Sequence, residues 1–66
     1  MIVTTKLSKY RIDPEAKTFQ KLPNGRKQTY QYLRLEVGTP LEILYPVVGK
    51  DSGYLETSDV VSVEEE

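Results

Sequence analysis

The stretch Gln28-Thr29-Tyr30-Gln31-Tyr32-Leu33-Arg34-Leu35-Glu36-Val37 decides how this chain is read. Its residues alternate. Thr29, Gln31, Leu33, Leu35 and Val37 fall on one face, and Gln28, Tyr30, Tyr32, Arg34 and Glu36 on the other. Successive side chains leave a strand on opposite sides, so period-two alternation of this kind predicts a half-buried β-strand. The leucines and Val37 then face a core, and Tyr30, Tyr32 and Arg34 face outward together.

Strand signals continue on both sides. Before this stretch, Pro23-Asn24-Gly25 reads as a turn, since Asn and Gly tolerate positive φ. Lys17 to Leu22 reads as a strand, and Ile2 to Ile12 is rich in Val, Ile, Thr and Tyr, the β-favouring types. Asp13-Pro14 joins them, so residues 8–22 form a hairpin with a longer loop. Asp13 to Lys17 is the only helical turn in view and is too short to stand alone. After the stretch, Gly38-Thr39-Pro40 is a break. Leu41 to Tyr45 follows as a strand, and Pro46 marks an edge or an end, with Val47 and Val48 continuing beyond a bulge. Gly49-Lys50-Asp51-Ser52-Gly53 reads as a loop and Tyr54 to Thr57 as a short strand. Ser58 and Asp59 then start one tight turn before a last strand, Val60 to Val63.

Five or six short strands this closely spaced predict a single all-β domain over residues 1–63, a small barrel or open roll, with 64–66 as a frayed acidic tail. The expected core is Val3, Leu7, Leu33, Leu35, Val37, Leu41, Ile43, Leu55, Val60, Val61 and Val63, with Phe19 and Tyr45 as aromatic members. Tyr10 is expected in the core or as a cross-strand partner. The C-terminal pattern of Leu41–Tyr45, a glycine-flanked loop, Tyr54–Thr57, a turn at Thr57-Ser58-Asp59-Val60 and a final strand resembles the end of an SH3-like barrel. That resemblance implies a short 3₁₀ turn between the last two strands. The chain also resembles the very small β proteins of phages and mobile elements. The aromatic groove of proline-peptide-binding SH3 domains has no counterpart, so that activity is not implied.

Composition excludes most chemistry. The 66 residues include no His and no Cys. The commonest general base, the commonest metal ligands and the thiolate nucleophile are therefore missing. Ser8, Ser52, Ser58 and Ser62 have no base to activate them. Glu36 and Glu42 are a conceivable acid/base pair, but so short a chain leaves little room for both a core and a cleft. Gly49 to Gly53 lacks phosphate-loop spacing, and no calcium-loop spacing is present. No enzyme activity, cofactor or metal is expected. The absence of a signal-peptide pattern and of an apolar run of membrane length predicts a cytoplasmic chain with no membrane partner.

Charge is the last feature. Residues 1–34 carry eight basic and two acidic side chains, a net of +6, and residues 35–66 carry one basic and eight acidic, a net of −7. Either the halves interleave, with opposite charges facing across strands, or the basic half forms a face of its own. The candidate site is Tyr30, Tyr32 and Arg34, with Lys27, Arg26, Arg11 and Lys9 as cationic neighbours. Alternate strand residues stand roughly 6.5–7 Å apart. A Tyr–Tyr–Arg row at that spacing suits a protein interface, where Tyr and Arg are enriched as hot spots. It also suits stacking on successive bases of a single-stranded nucleic acid, or it simply covers a second sheet face. The leading expectation is a non-enzymatic protein-interaction or regulatory module, with single-stranded nucleic-acid binding as the alternative. A homo-oligomer is a further possibility, since short sheets have exposed edges.

Overall fold

The computed structural model describes residues 1–66, the side chain of Lys50 excepted. It is all β. The strands are β1 (Ile2–Thr5), β2 (Lys9–Asp13), β3 (Thr18–Leu22), β4 (Gln28–Thr29), β5 (Tyr32–Arg34), β6 (Pro40–Val47) and β7 (Lys50–Glu64). They lie in the order β4-β3-β2-β1-β7-β6-β5, and every pairing is antiparallel. The sheet curls into an open half-barrel, a form compatible with an SH3-like barrel.

Seven strands arise instead of five or six partly because the decisive stretch is not one strand. It breaks at Tyr30-Gln31 and ends at Arg34. The Tyr30 amide donates to the Lys17 carbonyl at 2.9 Å, beside β3, while the next amide, Gln31, donates to the Leu44 carbonyl of β6 at 2.8 Å. Neighbouring residues thus bond to opposite ends of the sheet, which a straight strand cannot do. β4 and β5 are the two sheet edges, and they are consecutive in the chain. Each protects a row of backbone groups that would otherwise be unpaired.

The hairpin of residues 8–22 is present as β2 and β3, with Ile12 opposite Phe19 and Tyr10 opposite Lys21. Two side chains shape its surroundings. Asp13 Oδ1 accepts the amides of Glu15 (3.0 Å) and Ala16 (3.2 Å), which caps the turn that brings Lys17 to a φ of 53°. Thr5 Oγ1 accepts the Ser8 amide at 3.0 Å and closes the turn between β1 and β2. Residues 2–12 therefore form two strands rather than one continuous run.

The loop between β3 and β4 is tightly folded. The Leu22-Pro23 peptide is cis, the Gly25 amide donates to the Lys21 carbonyl at 2.7 Å, and Gln20 Nε2 donates to the Gly25 carbonyl at 2.9 Å. A Cβ at Gly25 would collide with the Lys21 carbonyl oxygen and lie 2.9 Å from the Lys21 Cβ.

One expected turn is shortened and another is absent. Of residues 49–53 only Gly49, at φ 83°, belongs to the turn; β7 begins at Lys50 and pairs with Val47. The turn expected at Thr57 to Val60, with its 3₁₀ character, is replaced by strand. β7 runs on through these residues, pairing first with β6 and then with β1. Irregularities in its pairing absorb the curvature, and the polar residues there serve distant backbone. Thr57 Oγ1 accepts the Leu41 amide (3.1 Å), Ser58 Oγ accepts the Leu7 amide (3.1 Å), and the Asp59 carbonyl accepts the Lys6 amide (3.1 Å). Pro46 sits at the irregularity between Tyr45 and Val47, where no regular ladder amide is required.

The core is Val3, Tyr10, Ile12, Phe19, Leu41, Ile43 and Val60. Leu33, Leu35, Leu55, Tyr45, Tyr30 and Met1 pack partly buried against it. Four expected core residues are exposed: Leu7 (86 %), Val37, Val61 and Val63. Leu7 stands in the turn after β1, and Val37 lies beyond β5. Val61 is the extra residue of a bulge, since Thr4 pairs with Ser62 and Thr5 with Val60. Val63 lies opposite Val3 near the end of the sheet. Phe19 and Tyr45 meet across the core, ring centres 5.8 Å apart and tilted by 54°, an arrangement aromatic pairs favour. Tyr45 also lies over Gly53, its cross-strand partner, where a Cβ would come within 2.6 Å of the ring.

Candidate binding surface

Residues directly opposite each other in antiparallel strands share a face. In β5 to β7 the register aligns Tyr32, Leu44 and Tyr54 in one row and Arg34, Glu42 and Glu56 in the next. Ile43 and Leu55, on the alternate face, point into the core. The first row is therefore outward, with Tyr32 55 % and Tyr54 56 % exposed and Leu44 half-buried between them. At about 4.8 Å per strand spacing the row spans roughly 10 Å.

The charged row is internally engaged. Arg34 reaches Glu42 at 3.9 Å through Nη1 and Glu36 at 3.8 Å through Nη2. The Tyr54 hydroxyl donates a long bond, 3.4 Å, to Glu56 Oε2. With one cation among Glu36, Glu42 and Glu56, the border of the aromatic row is acidic on balance. The Tyr54 hydroxyl is correspondingly held above its ordinary value of 10.0. Partial desolvation against the sheet is the main cause, with the Glu42 and Glu56 carboxylates adding to it and Arg34 opposing. A raised folded-state value means that the native state holds this proton more tightly than the unfolded chain. The associated stability is fully present below pH 10.0 and is lost as pH rises through the native value. In a spectrophotometric titration one tyrosine is expected to ionise late, and Glu56→Gln is expected to bring it down; an unchanged titration curve in that variant would show that the carboxylate does not act on it.

The seven candidate residues are not brought together. Tyr32 and Arg34 lie on the outer face described above. Tyr30 does not join them, because the break at Tyr30-Gln31 turns it half-buried against the core. Lys9 and Arg11 project from the outer face of β2, on the other flank of the sheet. Arg11 Nε is bonded to both carboxylate oxygens of Glu66, at 3.1 and 3.2 Å. Arg26 and Lys27 belong to the segment between β3 and β4. Lys27 lines a small hollow with Arg11 and Glu66. The charge halves interleave here: β1 pairs with both β2 and β7, Lys6 meets Asp59 at 3.8 Å, and Arg11 meets Glu66. Of the acidic tail, Glu64 is the last residue of β7 and pairs with Ile2.

Sequence reading missed Leu44, Tyr54, Glu42 and Glu56 as neighbours of Tyr32 and Arg34. Their alternation is visible, but their alignment depends on a register set by the turn at Val48-Gly49, where the sequence suggests a longer loop over residues 49–53. No helix is long and apolar enough to cross a membrane. Among the described residues no cluster of carboxylates is arranged to hold a metal ion. Comparison of the chain with protein-family models, with curated proteins and with solved structures gives no match.

Proposed function

We propose that this chain is a non-enzymatic protein-interaction module that docks its partner on the outer face of β5, β6 and β7. The observation that carries the reading is the exposed Tyr32–Leu44–Tyr54 row with its acidic border. Aromatic side chains on a rigid sheet bring a large apolar area at low entropic cost, and such residues dominate measured interface energies. The border of Glu36, Glu42 and Glu56 favours a partner segment that presents an aliphatic or aromatic residue flanked by Lys or Arg. The same carboxylates repel phosphates, and Arg34 is already engaged by two of them, so this face suits a protein better than a nucleic acid. Small size and a cysteine-free chain support reading the module as a cytoplasmic regulator or assembly factor, of the kind phages and mobile elements encode.

The test is affinity capture from the native host with the wild-type chain, a Tyr32→Ala/Tyr54→Ala double variant and a Lys17→Ala control. A partner held by wild type and control and retained at least about tenfold less by the double variant is the expected result, since two hot-spot residues are removed. A partner captured equally by all three, or none above background from a strictly monomeric chain, would count against the reading. Light scattering is run alongside. A dimer lost in the double variant would reassign the face to self-association.

A further inference from the structure

The concave face of the half-barrel holds a second surface, independent of the first. On β6 the two alternate: Leu44 points outward and Tyr45 inward. A cavity of about 310 Å³ opens inside the curl, lined by Tyr10, Phe19, Tyr45 and Leu55, with Lys21, Arg26 and Gln28 at its polar side. The register explains the set. Lys21 lies opposite Tyr10 and Gln28 opposite Phe19, so both share the inner face with those rings. The folded loop around Gly25 delivers Arg26. Three aromatic rings and two cations meet in a hollow that no carboxylate lines. Neither Lys21 nor Arg26 has an ion-pair partner among the described residues.

Tyr10 supplies an independent observation. It is only 4 % exposed, yet its hydroxyl has no hydrogen-bond partner among the described residues. No side-chain oxygen sealed from water lacks a partner, so this hydroxyl reaches solvent where Tyr10 lines the cavity. The hydroxyl thus opens on the aromatic and cationic hollow, where a polar ligand can replace the water that hydrates it. A larger hollow of about 500 Å³ beside Lys6, Leu7 and Lys9 has no aromatic wall.

We propose that this cavity binds a nucleotide unit, with the base against the Tyr45 and Phe19 side, its edge read by Gln28 and the Tyr10 hydroxyl, and the phosphate held by Arg26 and Lys21. An aromatic wall suits a nucleobase face, an amide suits its edge, and paired cations suit a phosphate. The volume lies at the lower end of small-ligand sites, roughly 300–1,000 Å³, which matches one nucleotide. The unit is either free or part of a single strand, and the experiment separates the two.

The full chain is titrated, by two-dimensional amide NMR at low salt, with adenosine and uridine monophosphates, a short oligothymidylate, and inorganic phosphate. Saturable shifts are expected at Tyr10, Lys21, Gln28 and Tyr45, with Leu44 and Tyr54 unmoved. Arg26→Ala, on an exposed loop position, is expected to weaken binding about tenfold without lowering the melting temperature. Tyr10→Phe keeps the ring and is expected to weaken it as well. An oligonucleotide more than about tenfold tighter than the monophosphates assigns the site to a strand; equal affinities assign it to a free nucleotide. Inorganic phosphate producing the same shifts with the same affinity, no saturable shift at millimolar nucleotide, or unchanged binding in both variants would overturn the proposal. None of these outcomes bears on the outer face.

Discussion

Ile43→Ala is expected to bring the domain close to its unfolding threshold near body temperature. Ile43 has no exposed surface and lies in the middle of β6, opposite Leu33 on one side and Leu55 on the other. Truncation removes three carbons from a site walled by strands on both flanks, which have little freedom to collapse into the void. Comparable truncations cost about 2–5 kcal/mol. A domain of this size holds only a few to about 10 kcal/mol in total, so the variant keeps little in reserve. A fall in melting temperature of at least about 10 °C is expected, since each kcal/mol moves a domain of this size by roughly 4–8 °C. Leu7→Ala is the contrast. Leu7 is 86 % exposed, and its loss is expected to stay within about 0.5 kcal/mol. Equal melting of the two variants would show that the core is misassigned.

Gly25→Ala is expected to be clearly damaging, although it adds only one methyl group at a half-buried loop position. Gly25 has no unusual φ. Its requirement is space, because the new Cβ would meet the backbone oxygen of Lys21, the atom that its own amide is bonded to. A flexible side chain would swing aside, but a carbonyl in β3 has no such freedom. Relief requires opening the bond from Gly25 to Lys21 and loosening the one from Gln20. A cost of about 1–3 kcal/mol is expected, as for other overpacked sites, with amide exchange accelerated first at Lys21 to Arg26. The comparison is Gly38→Ala, where a Cβ meets nothing within 4 Å and the only penalty comes from a φ of 94°. If Gly38→Ala proves the more harmful, backbone conformation rather than the close approach governs these glycines.

Much of the fold is legible in the sequence, and most of the rest depends on which strands pair. Lys9-Tyr10-Arg11-Ile12-Asp13 alternates so cleanly that its buried face, Tyr10 and Ile12, follows from the pattern alone. Ile12 is not singled out when residues 2–12 are taken as a single run. Leu41 and Ile43 were found by the same logic. The break at Tyr30-Gln31 was invisible because alternation reports only that a residue is extended, and says nothing of which strand it pairs with. Ser52, Gly53, Ser58 and Asp59 were read as turn formers, yet β7 carries them as strand. Neighbours on its two sides supply the hydrogen bonds that local turns would have made, and tertiary context outweighs propensity. The candidate site divides in the same way. Tyr32 and Arg34 were identified from their own strand, while Leu44 and Tyr54 required knowing how three strands align.

The length of β7 has a mechanical consequence. One unbroken backbone from Lys50 to Glu64 belongs to both ladders, to β6 along its first part and to β1 along its last. Peeling away either neighbour leaves this shared rail with half its amides unbonded and its curvature unsupported. Neither portion of the sheet then survives as a separate folding unit, and the domain melts in a single step.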